Sequence, residues 1–509
     1  MALRRASARS RSHLLAGVTL AGCTPFVAGD PFPAPDAWRA AGPGVGPRTY
    51  AEADLFTDCA ALPGGPEDVD HHNHVVLVDG YVLVPWAPEY AGAGGISFFD
   101  LSDPCAPVKV GEASSDVMRE THILGIHTGA DGRRFVAVDY LEPPTPDAAS
   151  TTGGVGVFDI TDPTEPTWLS ALALPNHVYP DSYTRVALAT AWVGDTIYVA
   201  NATNGVYIVD ASDPEALTLY GQTRFEGPHV VGGFRPWGTV GMASSMGVSR
   251  TVLLDLSDPW SPVALPGGDW STEDADGTTR PYYAANVGGT YAWFARSKDG
   301  GGPLVYDISD PTAPQRVGDV KTPDGDGGYV FLQNDHLFVG DSNFGSVYDA
   351  TDPAAMRELG RFALPGDLDT VTPLGNVAVV AVDEKADPGR ASVVVPWQAE
   401  PETVAPRPGL LSPADGEVGV ASTARIGVVY DEMIEPASVH RGSFRVADAA
   451  GRPIPGTFDV LESIINFTPN DPLPAGPIHV VLPAGGITDA SGNRQAVDRA
   501  WWFVVGGGG

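Results

Sequence analysis

Three histidines stand directly before apolar runs: His74 before Val75-Val76, His122 before Ile123-Leu124, and His229 before Val230-Val231. Arg185 before Val186-Ala187 and Tyr329 before Val330-Phe331 hold the matching place in two further runs. If these runs are equivalent strands around one axis, the five side chains converge at one mouth. Neutral imidazoles there could hold a divalent transition metal as cofactor, with His71, His72 and His127 close enough in sequence to assist. Arg185 supplies a donor for a carboxylate or sulfate of a bound ligand, and Tyr329 lies at the same level. Asp70, Glu120, Asp181 and Glu226 accompany the same points, and two such carboxylates could perform acid–base chemistry on a sugar. The alternative is a channel lined by histidines bonded to water and backbone carbonyls, in a chain that is acidic throughout. A two-residue shift of the alignment removes the ring altogether.

The elements that must position these residues repeat. A short apolar run ends six times in Asp-x-Ser/Thr-Asp-Pro, with first aspartates Asp100, Asp159, Asp210, Asp255, Asp307 and Asp349. The copies lie roughly 40 to 60 residues apart, close to the period of a four-stranded propeller blade. In the first unit, Val75 to Val78 and Tyr81 to Val84 read as strands around an Asp79-Gly80 hairpin turn. Ile96 to Phe99 and Val108 to Val110 supply the third and fourth strands. The aspartates and Ser/Thr of the turn can bond backbone N–H groups while Pro fixes φ, a structural role rather than a calcium site. A seventh unit has strands at Val371 to Val382 and Ser392 to Val395, but Pro396-Trp397 where the turn should be. It is expected to take its outer strand from the segment near Tyr50 to Phe56, which closes the ring and limits exposed edges.

Composition agrees with many short strands: 61 Gly and 47 Pro in 509 residues, with 43% apolar residues. The net charge of −33 becomes −37 without the four arginines of the first 22 residues. Such a surface repels nucleic acid and anionic lipid headgroups. Arg4 to Arg11 form a basic region, Leu14 to Leu20 an apolar one, and Leu20-Ala21-Gly22-Cys23 follows. Residues 1–22 therefore read as a signal peptide, and 23–47, rich in proline, as a flexible tether. Cys59 and Cys105 remain. An exported chain meets an oxidising compartment, where they pair as a disulfide or stay as two buried thiols.

The Leu20-Ala21-Gly22-Cys23 segment resembles a bacterial lipobox, which implies lipidation of Cys23. Thr24 stands where many inner-membrane lipoproteins carry aspartate, so the outer membrane is expected. The six turns over roughly residues 74 to 365 resemble the LVIVD-repeat family of bacterial and archaeal surface propellers, few of which have an assigned activity. After a linker at 401–405, Ser412-Pro413-Ala414-Asp415-Gly416, Phe467-Thr468-Pro469 and Gly486 to Asn493 resemble a bacterial Ig-like domain of the S-layer-associated type. The expected fold is all-β: a seven-bladed β-propeller over 48–400, an independent Ig-like β-sandwich over 406–505 acting as a spacer or adhesive module, and a glycine tail at 506–509.

No Gly-x-Ser-x-Gly elbow, Gly-Lys-Ser/Thr phosphate loop or Cys-x-x-Cys pair occurs. The leading expectation is a cell-envelope lipoprotein, surface or periplasmic, anchored through lipid only. It would bind or display an envelope component, an extracellular glycan or a protein, and no nucleic acid. The alternatives are a metal-dependent or polysaccharide-acting enzyme at the channel mouth, and a purely structural envelope component. Propellers serve all three roles.

Overall fold

The computed structural model describes residues 42–65, 74–87, 93–118, 121–141, 153–176, 188–297, 300–383 and 385–506. Cys23, His71, His72, Asp70, Glu120, Asp181 and Arg185 lie outside them. Among the described residues, no helix is long and apolar enough to cross a membrane.

Seven four-stranded antiparallel sheets follow one another along the chain. Blade one comprises Val76–Val78, Tyr81–Trp86, Gly94–Asp100 and Val108–Ser115. The innermost strands of blades two to seven are Gly125–Thr128, Ala189–Val193, Val231–Trp237, Tyr282–Gly288, Val330–Gln333 and Thr370–Leu374. The inner three strands of blade one are buried almost throughout, whereas the fourth is exposed or half-buried up to its last residue. That gradient is why the first three read as continuous apolar runs and the fourth does not.

The repeated turn works as a pair of side-chain caps. In all six copies the first aspartate accepts the N–H of the Ser/Thr two residues on, at 2.7–3.1 Å. The second aspartate accepts the N–H two residues beyond it, at 2.9–3.2 Å. Every one of these blades also carries a register shift between its third and fourth strands just before the turn. A bulge there increases the local twist. The motif therefore shapes the strand reversal, and its carboxylates are occupied by backbone donors.

Ala60–Ala61 pairs with Ser392–Pro396 as the outer strand of blade seven. The closing strand lies a few residues beyond the expected Tyr50 to Phe56, although the N–H groups of Tyr50 and Phe56 already donate to Ala399 and Pro396. Residues 42–46, expected as tether, lie on blade one instead: Gly42 and Gly46 donate to Asp79 and Leu101. Cys59 and Cys105 form a disulfide with Cα atoms 5.1 Å apart, joining the closing segment to the first repeated turn. The bridge spans 46 residues, so replacing both cysteines by serine should lower unfolding free energy by about 2–4 kcal/mol. Urea titration reads this directly, and an unchanged midpoint would show that the closure holds without it.

The C-terminal part is a sandwich of two four-stranded sheets. One contains Pro408–Ser412, Ile426–Tyr430, Ile464–Pro469 and Gly456–Leu461; the other contains Val418–Val420, Arg499–Val505, Gly476–Leu482 and Arg445–Asp448. Its own core includes Ile426, Val428, Phe444, Phe467, Ile478 and Trp501. A further apolar cluster crosses to the propeller, where Leu410, Val429 and Ile464 pack with Trp237, Val287 and Phe294.

Candidate functional site

The hairpins joining first to second strands gather at one end of the propeller, and the sandwich sits on that end. Its strands Gly456–Leu461 and Ile464–Pro469 turn at Glu462-Ser463, with Glu462 at φ +54°. The Glu462 carboxylate enters the channel between blades. It accepts from His74 Nε2 of blade one, from Arg235 Nη2 of blade four at 3.1 Å, and from Asn286 Nδ2 of blade five at 2.5 Å. Leu124 N donates to His74 Nδ1 at 3.0 Å, so the proton of the neutral ring sits on Nε2 and points at Glu462. Burial drives His74 below its ordinary value, consistent with that neutral form. Burial alone would raise Glu462, but the Arg235 guanidinium and the bonds from His74 and Asn286 bring it down to about 2. Nε and Nη1 of Arg235 have no partner and are buried, so Glu462 is its counter-ion.

A ring of polar contacts surrounds this plug. Asp459 accepts from His127 Nδ1 at 2.7 Å and from the N–H groups of Thr128 and Gly194 at 3.1 and 2.7 Å. Gly238 donates to Asn466 Oδ1 at 2.8 Å, Gly289 to the Tyr430 carbonyl at 2.9 Å, and Asn334 to the Asp431 carbonyl at 2.9 Å. Gly238 has φ +60°, and a Cβ there would lie 2.4 Å from the Ser412 carbonyl. Glycine is what lets the two backbones approach. The sandwich thus contacts blades one to six. The expectation of an independent spacer is corrected: the side chains of Asp459 and Asn466 and the carbonyls of Tyr430 and Asp431 accept from hairpin N–H groups that would otherwise need water.

The histidines predicted as a metal set are not brought together. His74 is bound by Glu462, and His122 Nδ1 lies 2.8 Å from Asp139 Oδ2. His229 Nδ1 lies 3.5 Å from Ser245 Oγ, while its buried Nε2 has no partner. Among the described residues, one group of three donors lies within 4.8 Å of one another, and it is Glu402, Glu432 and Asp489. Burial, then neighbouring Asp489, pushes Glu402 up to about 7 and Glu432 well above the usual carboxylate range. Sequence reading missed this group because its members come from the linker and two separate sandwich loops.

The opposite end, where the chain runs into each innermost strand, is the inlet end. Tyr329 is buried there, its N–H on the Asp369 carbonyl at 2.7 Å and its ring edge-on to Tyr283 at 5.8 Å. Phe225 packs on His229 with ring centres 5.3 Å apart. A groove of about 350 Å³ runs beside Phe225, lined also by Arg224, Glu226, Val263 and Asp269.

The LVIVD repeat family matches residues 191–224 and 286–322, and the bacterial Ig-like domain family matches 402–505. No curated protein matches. Among solved structures, a Lactobacillus plantarum protein is 14% identical over 62% of this chain and 98% of its own, with a TM-score of 0.45. A putative 6-phosphogluconolactonase from Bacteroides fragilis is 12% identical over 63% and 96%, also at 0.45. The extracellular domain of a putative one-component system from B. thetaiotaomicron is 9% identical over 90% and 58%, at 0.40. Propeller repeats joined to an Ig-like domain suit a surface or periplasmic binding role. The chain carries LVIVD repeats at 191–224 and 286–322 within an all-β propeller fold and a bacterial Ig-like domain at 402–505.

Proposed function

We propose that this chain is a lipid-anchored envelope protein whose propeller binds an extracellular or envelope glycan at its inlet end. The observation that carries the reading is the asymmetry of the propeller. The sandwich occupies the hairpin end through Glu462, Asp459 and Asn466, which leaves the inlet end as the binding face. There Phe225 and Tyr283 are partly exposed aromatic rings, suited to stacking on a sugar face. The acids Glu226 and Asp269 offer hydrogen-bonding groups in the groove beside Phe225.

An array of bacterial and plant polysaccharides probed with the mature protein tests this. Binding should weaken at least tenfold in Phe225→Ala and in Tyr283→Ala, and stay unchanged in Trp502→Ala on the exposed sandwich face. Binding that follows Trp502 instead would place the function on the sandwich. The anchor is tested separately, because Leu20-Ala21-Gly22-Cys23 is its sole motive. Cys23→Ser should move the protein from the membrane to the soluble fraction, and a variant that stays membrane-bound would end the lipid reading.

A further inference from the structure

The geometry points to a calcium-class cation site where linker, sandwich and propeller meet, formed by Glu402, Glu432, Asp489 and the side-chain oxygen of Asn334. Glu402 follows blade seven, Glu432 follows strand Ile426–Tyr430, and Asp489 lies in the loop before Arg499–Val505. One carboxylate oxygen from each lies within 4.8 Å of the others. Glu432 and Asp489 are each 2% exposed. Three carboxylates at this separation repel one another strongly once buried.

The donors around them fall short of that charge. Asn493 supplies its side-chain amide to Glu402 and Asp489 at 2.5 and 2.9 Å, and its N–H to Asp489 at 2.8 Å. Val404 N–H also donates to Glu402. Arg407, whose charge acts on Glu432, is held by Asp431 at 2.5 Å and Asp335 at 2.7 Å. Glu432 Oε1 is buried with no partner.

Asn334 is the independent observation. It belongs to the hairpin of propeller blade six, is 7% exposed, and directs its carboxamide between two of the acids. Its Nδ2 lies 3.4 Å from Glu402 and 3.3 Å from Glu432, while its Oδ1 is buried without a partner. The two ends of a carboxamide are interchangeable by rotation. Turned over, Asn334 presents an oxygen to the same point, and the set becomes four hard oxygen donors with a triple negative charge. Oxygen ligands of this kind select calcium or magnesium over softer metals. Donors drawn from four separate segments adapt to the variable geometry of calcium more readily than to the strict octahedron of magnesium. A cation there would tie the sandwich to the propeller from outside the Glu462 plug.

The test uses the full mature protein, freed of metal by a chelator and dialysed. Titration with CaCl₂ should show one bound equivalent, with MgCl₂ at least tenfold weaker. The thermal midpoint should rise by at least about 2 °C in excess calcium. Glu432→Gln removes one charge with little change of shape. It should raise the midpoint of the metal-free protein while abolishing the calcium response, so a folded variant is expected. Asn334→Ala should weaken calcium binding at least fivefold. No bound equivalent and no calcium-dependent shift in the wild type would overturn the site. So would full calcium binding in Glu432→Gln, which would place the ion elsewhere.

Discussion

Replacing Glu462 by alanine is expected to cost about 3–5 kcal/mol of stability, the range for stripping one partner from a buried ion pair. Arg235 is 2% exposed, and its guanidinium donates to Glu462 while Nε and Nη1 stay buried without partners. The variant leaves a guanidinium inside the propeller channel with nothing to neutralise it. His74 and Asn286 lose their acceptor at the same time. The double variant Glu462→Leu with Arg235→Met should recover most of the loss, because an apolar pair of similar volume often matches a buried ion pair. Chemical denaturation of the single and double variants measures both steps. A Glu462→Ala protein within about 0.5 kcal/mol of wild type, the usual scatter of surface changes, would mean that the plug is not engaged.

Acid should dissolve the same contact in a defined window. Glu462 has its folded value at about 2, below the ordinary 4.5. A depressed carboxylate contributes stability that is complete above pH 4.5 and lost as pH falls toward 2. The shift corresponds to about 3 kcal/mol for this fully buried group. His74 acts in the same direction from higher pH: its value is lowered by burial, so the unfolded chain takes up the proton first below 6.5. Arg235 and Asp139 are the other charges that act on the pair. Buried carboxylates shifted upward, such as Glu435 at about 7, oppose this by gaining protons in the folded state. The Glu462 contribution is therefore read as the difference between wild type and Glu462→Gln at each pH. That difference should shrink steadily below pH 4.5, and a constant difference down to pH 2 would contradict the depressed value.

The blades were legible because their information is local. Six turns recur with the same two aspartates, and each forms its bonds within a few residues. The Cys59–Cys105 bridge was half legible: two remaining cysteines left a disulfide and two buried thiols as alternatives, and a contact across 46 residues decides between them. The hairpin plug was not. Glu462-Ser463 between two apolar runs looks like any polar β-turn, and nothing near it specifies partners 388 residues away at His74 or 227 away at Arg235. One signal was available: Arg235 interrupts Gly233-Phe234-Arg235-Pro236-Trp237, an innermost strand. A cation there has to find a buried anion. The histidine alignment placed its residues near the right strands, yet His74 turned to the sandwich and His122 to Asp139. Position along a strand fixes depth in a channel, and the partner each side chain meets is set by neighbouring blades.

The docking of the sandwich on the hairpin end is tested most directly by amide hydrogen exchange at Gly194, Gly238, Gly289 and Asn334. Each sits in a different blade hairpin, and each N–H donates to a sandwich atom: Asp459, Asn466, Tyr430 and Asp431 respectively. In a free propeller these would be solvent-facing turn amides. With the sandwich seated they should exchange as slowly as amides of the inner strands, and speed up together in Glu462→Ala. Exchange at the rate of open loops in the wild-type protein would contradict the capped propeller, and with it the assignment of the inlet end as the binding face.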